Sequence, residues 1–96
     1  MHYSDLSYGV YLPTVTFTPH SNGLFTSNLR TQQLAEQGIT GFYEADFADN
    51  VTRIESFAFY NDKKVCVVTI NKVTQIDQHA FNGCSNLRAI TLDTAV

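Results

Sequence analysis

Residues 51–72, VTRIESFAFYNDKKVCVVTINK, align without a gap on residues 73–94, VTQIDQHAFNGCSNLRAITLDT, so the chain carries a tandem repeat of 22 residues. Val51/Val73, Thr52/Thr74, Ile54/Ile76, Ala58/Ala80, Phe59/Phe81 and Thr69/Thr91 are identical. Chance would supply about one or two identities in such a window. Where identity is lost, apolar character is kept: Val65 with Leu87, Val68 with Ile90, Ile70 with Leu92. A unit this short cannot close a core of its own, so successive units must stack and bury one another's apolar faces. No other feature constrains the fold as strongly.

Within each unit, strand alternation sends Val68 and Ile70 inward, with Ile90 and Leu92 after them, and turns Val67 and Thr69 outward. The return segment sets Ile76 and Ala80 four residues apart with Phe81 beside them, which predicts a single helical turn. Phe59 and Phe81 are then expected to stack as the second wall of the core. A third, degenerate strand lies upstream, where Phe42, Ala45 and Phe47 match Leu87, Ile90 and Leu92. The link that follows it, Ala48-Asp49-Asn50, is one residue longer than its counterpart, a change loops tolerate.

Ile76, Ala80, Phe81, Cys84, Leu87, Ile90 and Leu92 follow one spacing: Ile, three residues, Ala-Phe, two residues, Cys, two residues, Leu, two residues, Ile, one residue, apolar. The preceding unit keeps Ile54, Ala58, Phe59, Val65, Val68 and Ile70, but Asp62 stands where the cysteine belongs. Over residues 42–93 this pattern resembles the BspA-like leucine-rich repeats. The resemblance implies an α/β solenoid, here a short leucine-rich-repeat stack, in which Cys84 packs as a small buried hydrophobe. It also implies a non-catalytic protein-interaction or adhesion module of the kind carried on cell surfaces.

The flanks read differently. Thr26 to Gln37 is rich in helix-compatible residues, opens on Thr-Ser-Asn as N-cap candidates and stops before Gly38, so a capping helix is expected over 24–38. Before it, Val10-Tyr11-Leu12 and Val15-Thr16-Phe17-Thr18 are β-like runs broken by Pro13 and followed by a turn-rich stretch, which predicts an extended N-terminal arm or edge strand over 1–23. The solenoid itself is assigned to 39–96. After Leu92 no capping helix or polar closing strand is evident, and an uncapped apolar repeat invites pairing.

Composition narrows the chemistry. Among 96 residues the net charge is −3, and Arg30, Arg53, Lys63, Lys64, Lys72 and Arg88 are scattered, so nothing tracks a nucleic-acid backbone. Cys66 and Cys84 are too few for a disulfide framework and offer no CxxC pair; Cys66, on the variable side of its strand, is the more exposable thiol. His2, His20 and His79 have no partner at metal-ligand spacing, so no metal or other cofactor is expected. No nucleophile elbow, Gly-rich phosphate loop or paired carboxylate suggests a catalytic residue. Asn50-Val51-Thr52 matches a glycosylation sequon but reads as a repeat turn. Residues 1–10 lack the pattern of a signal peptide, and no apolar run is long enough to span a membrane.

The outward strand positions, Tyr43, Glu44, Asp46, Val67, Thr69, Arg88 and Thr91, are expected to form a ladder that contacts a protein partner. The alternative is a structural or accessory subunit of a larger assembly, a virion or surface complex, whose arm and open repeat end are covered by neighbours. Contact would then run through self-association of the uncapped C-terminal repeat or of the arm. The resemblance places the chain at a cell surface, the assembly reading in a virion or the cytoplasm.

Overall fold

A computed structural model describes residues 12–92, so positions 1–11 of the arm expected over 1–23, and 93–96 of the solenoid expected over 39–96, lie outside the described residues. Among the described residues the β-branched runs form seven short strands, all parallel to their neighbours, in two sheets. β1 (Thr14–Phe17), β3 (Tyr43–Phe47), β5 (Val65–Ile70) and β7 (Ala89–Leu92) make a four-stranded sheet in that order. β2 (Leu24–Phe25), β4 (Arg53–Ile54) and β6 (Gln75–Ile76) make a three-stranded one. Parallel neighbours require a long crossover, and here each crossover contributes a strand to the other sheet. The chain therefore alternates between the two sheets, one repeat unit per circuit.

The register follows the 22-residue repeat where the repeat is regular: Val68 pairs with Ile90, Ile70 with Leu92, and Ile54 with Ile76. Upstream, Tyr43 lies opposite Val65 while Glu44 lies opposite Val67, so Cys66 is an extra residue accommodated by a bulge. That bulge corrects the degenerate strand. Tyr43, not Phe42, takes the inner position equivalent to Val65; Tyr43 is fully buried and Phe42 is 50% exposed. Tyr43 therefore leaves the outward ladder and joins the core.

The segment expected as an arm is, from Thr14 on, the edge strand of the larger sheet. Val15 pairs with Ala45 and Phe17 with Phe47, and Leu24 and Phe25, expected within the helix, pair with Arg53 and Ile54. Their sequence hides this membership because the unit is lengthened by a helix, α1 (Ser27–Glu36). Thr26 caps α1, its hydroxyl accepting from the Leu29 N–H. At the other end Gly38 adopts φ +69°, with Gly38 N–H donating to Ala35 O and Ile39 N–H to Leu34 O, a Schellman closure. In the later units the return segment is not the expected helical turn. It is a run of tight turns, Ala58 N–H to Glu55 O and Tyr60 N–H to Phe57 O, with Phe57 and His79 in left-handed backbone at φ 64° and 66°.

Between the sheets, one aromatic column ties the units together. Phe25 stacks on Phe59 with centroids 5.6 Å apart, and Phe59 on Phe81 at 5.0 Å. Phe17 and Phe47 meet the same column tilted or edge-on. The backbones close up alongside it, Phe59 N–H donating to Ala80 O at 2.8 Å. Alanine at 58 and 80 leaves room for that approach; both are buried.

In the first unit the residue five positions past Phe25 is Arg30, where the next unit has Phe59. Its own N–H is committed to Thr26 O in the helix, so its Nε makes the inter-unit bond instead, to Ala58 O at 2.8 Å. The guanidinium lies 5.8 Å from the Phe59 centroid and pairs with Asp62 Oδ2 at 3.1 Å. Asp62 stands where the following unit has Cys84, whose thiol donates to Phe59 O. Buried, Asp62 also accepts from the Tyr43 hydroxyl and from the Lys64 and Val65 N–H groups. The two departures from the repeat, Arg30 and Asp62, are thus one compensated exchange that joins α1 to β3 and β5.

Replacing Asp62 with Ala strands the Arg30 charge, the phenol and two N–H groups, and is expected to cost about 3–5 kcal/mol in denaturant unfolding. Burial, and then the hydrogen bond to Asp62, push the Tyr43 phenol well above its ordinary range. The unfolded chain ionises this phenol near about pH 10 and the fold only higher. Its contribution is therefore complete below that pH and is lost as pH rises beyond it. Unfolding midpoints measured across alkaline pH should fall more steeply for the native chain than for Tyr43→Phe.

Candidate functional site

The two edges of the structure are unlike. At β1 and β2 the inner residues Val15, Phe17 and Phe25 are fully buried although their strands are outermost. Leu29, Leu34 and Ile39 pack against that cluster. The Gln33 side chain satisfies the backbone there: its Nε2 donates to Thr18 O and its Oε1 accepts from Thr18 N–H, both at 2.9 Å.

At the opposite edge Ile76, Ile90 and Leu92 occupy the inner rows of Ile54, Val68 and Ile70, yet they are 44%, 50% and 66% exposed. They were expected in the core. The rows are right, but among the described residues no further strand pairs with β6 or β7 on their outer side, so nothing in the described stack covers these side chains. Ile54, Ala58, Phe59, Val68, Ile70 and Ala80 are buried, and Phe81, Cys84 and Leu87 are partly so. The burial that each unit needs from its neighbour is complete inside the stack and incomplete at this edge.

The outward ladder is only partly outward. Glu44, Asp46 and Thr69 are half-buried, and Arg88 and Thr91 are exposed. Tyr43 is in the core. Val67 is 8% exposed, in a small cluster with Leu12 and Cys66 on the other face of the sheet. Cys66 is therefore not the accessible thiol that its alignment with Arg88 suggested; burial pushes its pKa up, and does the same for Cys84. The bulge that hides Cys66 left no trace in the repeat spacing, since only a gap inside the strand sets Tyr43 opposite Val65 and Ala45 opposite Val68.

Two further features lie on the described surface. Phe57, 48% exposed, stacks on exposed His79 at 5.5 Å and meets exposed Tyr60 edge-on at 5.4 Å, a small ridge on the return segments. A shallow polar depression of about 220 Å³, lined by Asn22, Leu24, Thr52, Arg53, Thr74 and Gln75, lies along the smaller sheet. Its one cation is already engaged, Arg53 Nε and Nη2 both reaching Asp77 Oδ2, which holds the Asp77 carboxyl below its usual range. Among the described residues no group of three or more His, Cys, Asp or Glu is placed to hold a metal, and no helix is long and apolar enough to cross a membrane.

A sequence model described as BspA type Leucine rich repeat region (6 copies) matches residues 23–96. That span includes α1 and β2, upstream of the resemblance visible by eye. No curated protein and no solved structure matches the chain.

Proposed function

The chain belongs to the BspA-type leucine-rich repeat family, and from that premise we propose that it is a short solenoid, capped at one end by α1, that acts as a non-catalytic protein-interaction module through its open apolar end. Domains of this family are in general protein-interaction modules and typically not enzymes. The observation that carries the proposal is the exposure of Ile76, Ile90 and Leu92 in rows that are buried everywhere else. An unpaired strand edge beside apolar side chains is a template for strand addition.

Of the polar outward ladder, Arg88 and Thr91 lie beside this end and supply the rim of the contact, while Thr69 lies one strand and Glu44 and Asp46 two strands away. The apolar character of the end favours one version of the function over the other. Permanent interfaces are more hydrophobic than transient ones, so an accessory subunit of a larger assembly fits it better than an adhesin that contacts partners through the polar ladder.

A synthetic peptide of residues 51–72, one whole unit, carries the apolar spacing that β6 and β7 lack on their outer side. Titrated into the isotope-labelled chain, it is expected to shift the resonances of Ile76, Ile90 and Leu92, and the double change Ile90→Asp with Leu92→Asp is expected to abolish the shifts. Shifts confined to Glu44, Asp46 and Thr69, or none at millimolar peptide, would contradict the proposal.

A further inference from the structure

We propose that Asn82 is a site of self-modification: in the folded chain the Asn82-Gly83 peptide closes to a succinimide and reopens as aspartate or isoaspartate, while the other Asn-Gly pair, Asn22-Gly23, is held back. Gly83 N attacks Asn82 Cγ, a bond forms between them, and the side-chain nitrogen leaves as ammonia. The proton lost by Gly83 N balances the one the departing nitrogen takes up. Water then adds to either carbonyl of the ring, which gives the two products. The site lies on a return segment and does not depend on what meets β6 and β7.

The attacking nitrogen must be free to shed its proton and swing toward the side chain. A hydrogen bond to a protein acceptor prevents both until local opening breaks it. The chain has seven asparagines, and for six of them the N–H that follows is engaged: Gly23 with His20 O, Leu29 with Thr26 Oγ1, Val51 with Ala48 O, Asp62 with Phe59 O, Lys72 with Asn71 Oδ1 and Leu87 with Cys84 O. Only the Gly83 N–H has no acceptor among the described residues. Residue type and backbone are the same at the two Asn-Gly pairs, Gly23 at φ +87° and Gly83 at φ +82°, so their surroundings make the difference. Gly23 is buried, its oxygen accepts from the Thr52 and Arg53 N–H groups, and Asn22 Oδ1 accepts from Leu24 N–H at 3.2 Å. Asn82 is exposed, and Gly83 has no Cβ to hinder the approach. His79 Nδ1 stands 3.3 Å from Asn82 Nδ2, and with a proton there the ring can supply the departing nitrogen.

Conversion acts on the joint between two units. Asn82 O accepts from Asn61 N–H at 2.8 Å, Lys63 Nζ donates to Gly83 O at 2.9 Å, and the Asn61 side chain lies so close to Gly83 that no Cβ fits there. Aspartate adds a negative charge and leaves the backbone path as it was. Isoaspartate carries the main chain through the side-chain carbons, lengthens it by a methylene and draws Asn82 O away from Asn61. The isoaspartyl product therefore loosens the return segment of the unit over 73–94 from that of the unit over 51–72.

The full chain, incubated at mildly alkaline pH and mapped by proteolysis and mass spectrometry, is expected to gain aspartate and isoaspartate at Asn82 at least about tenfold faster than at Asn22, since the bonded site reacts only through local opening. In concentrated urea both pairs lose their surroundings, and the two rates should come together. Asn82→Gln should stay unmodified at that position with conversion at Asn22 unchanged. The aged native chain should exchange its Asn61 amide faster than aged Asn82→Gln does. Conversion at Asn22 as fast as at Asn82 in the folded chain would overturn the proposal, as would an Asn82 that stays intact over a time in which the urea-unfolded chain converts. A preference for Asn82 that persists undiminished in urea would also overturn it, because the selectivity would then belong to the local sequence and not to the fold.

Discussion

Burial of one unit by the next is the constraint on which everything else in this structure depends. A 22-residue unit contributes one strand to each sheet and one or two aromatic rings to the space between, too little for a core alone. The column through Phe25, Phe59 and Phe81, with inter-unit bonds such as Phe59 N–H to Ala80 O, turns separate units into one cooperative body. Deleting any ring costs more than its own transfer energy, because neighbouring units hold the cavity open; for a buried Phe this amounts to about 3–5 kcal/mol.

That dependence makes the ends of the stack the places where sequence must depart from the repeat. At one end the departure is explicit. The helix occupies the return path of the first unit, Arg30 replaces the column's phenylalanine, and Asp62 replaces the cysteine beneath it. Either change alone would bury an unpaired charge, and together they satisfy each other and the Tyr43 phenol. At the other end Ile76, Ile90 and Leu92 keep the pattern of interior units. Among the described residues, one edge is tailored and the other keeps the interior pattern.

Much of this was legible in the residues. The period, the inner rows of β5 and β7 and the stacking of Phe59 on Phe81 follow from identities 22 residues apart, and the end of α1 follows from Gly38. Three things were not. The first unit was hidden because its helix spreads the spacing and because Arg30 breaks the Ala-Phe signature. Tyr43 was assigned outward, since a one-residue bulge at Cys66 flips the faces of a strand and leaves no mark in composition. Exposure at 76, 90 and 92 depends on which neighbours a row has, and a repeat pattern specifies the row alone.

The central claim, that among the described residues burial is complete at the helix edge and incomplete at the β7 edge, is tested most directly by amide hydrogen exchange in dilute solution. The account predicts slow exchange at Phe17, Ala45 and Val68, and exchange faster by about tenfold or more at Ile90 and Leu92, since local opening there exposes little that is not already exposed. Protection of Ile90 and Leu92 equal to that of Val68, or loss of protection at Phe17, would contradict it.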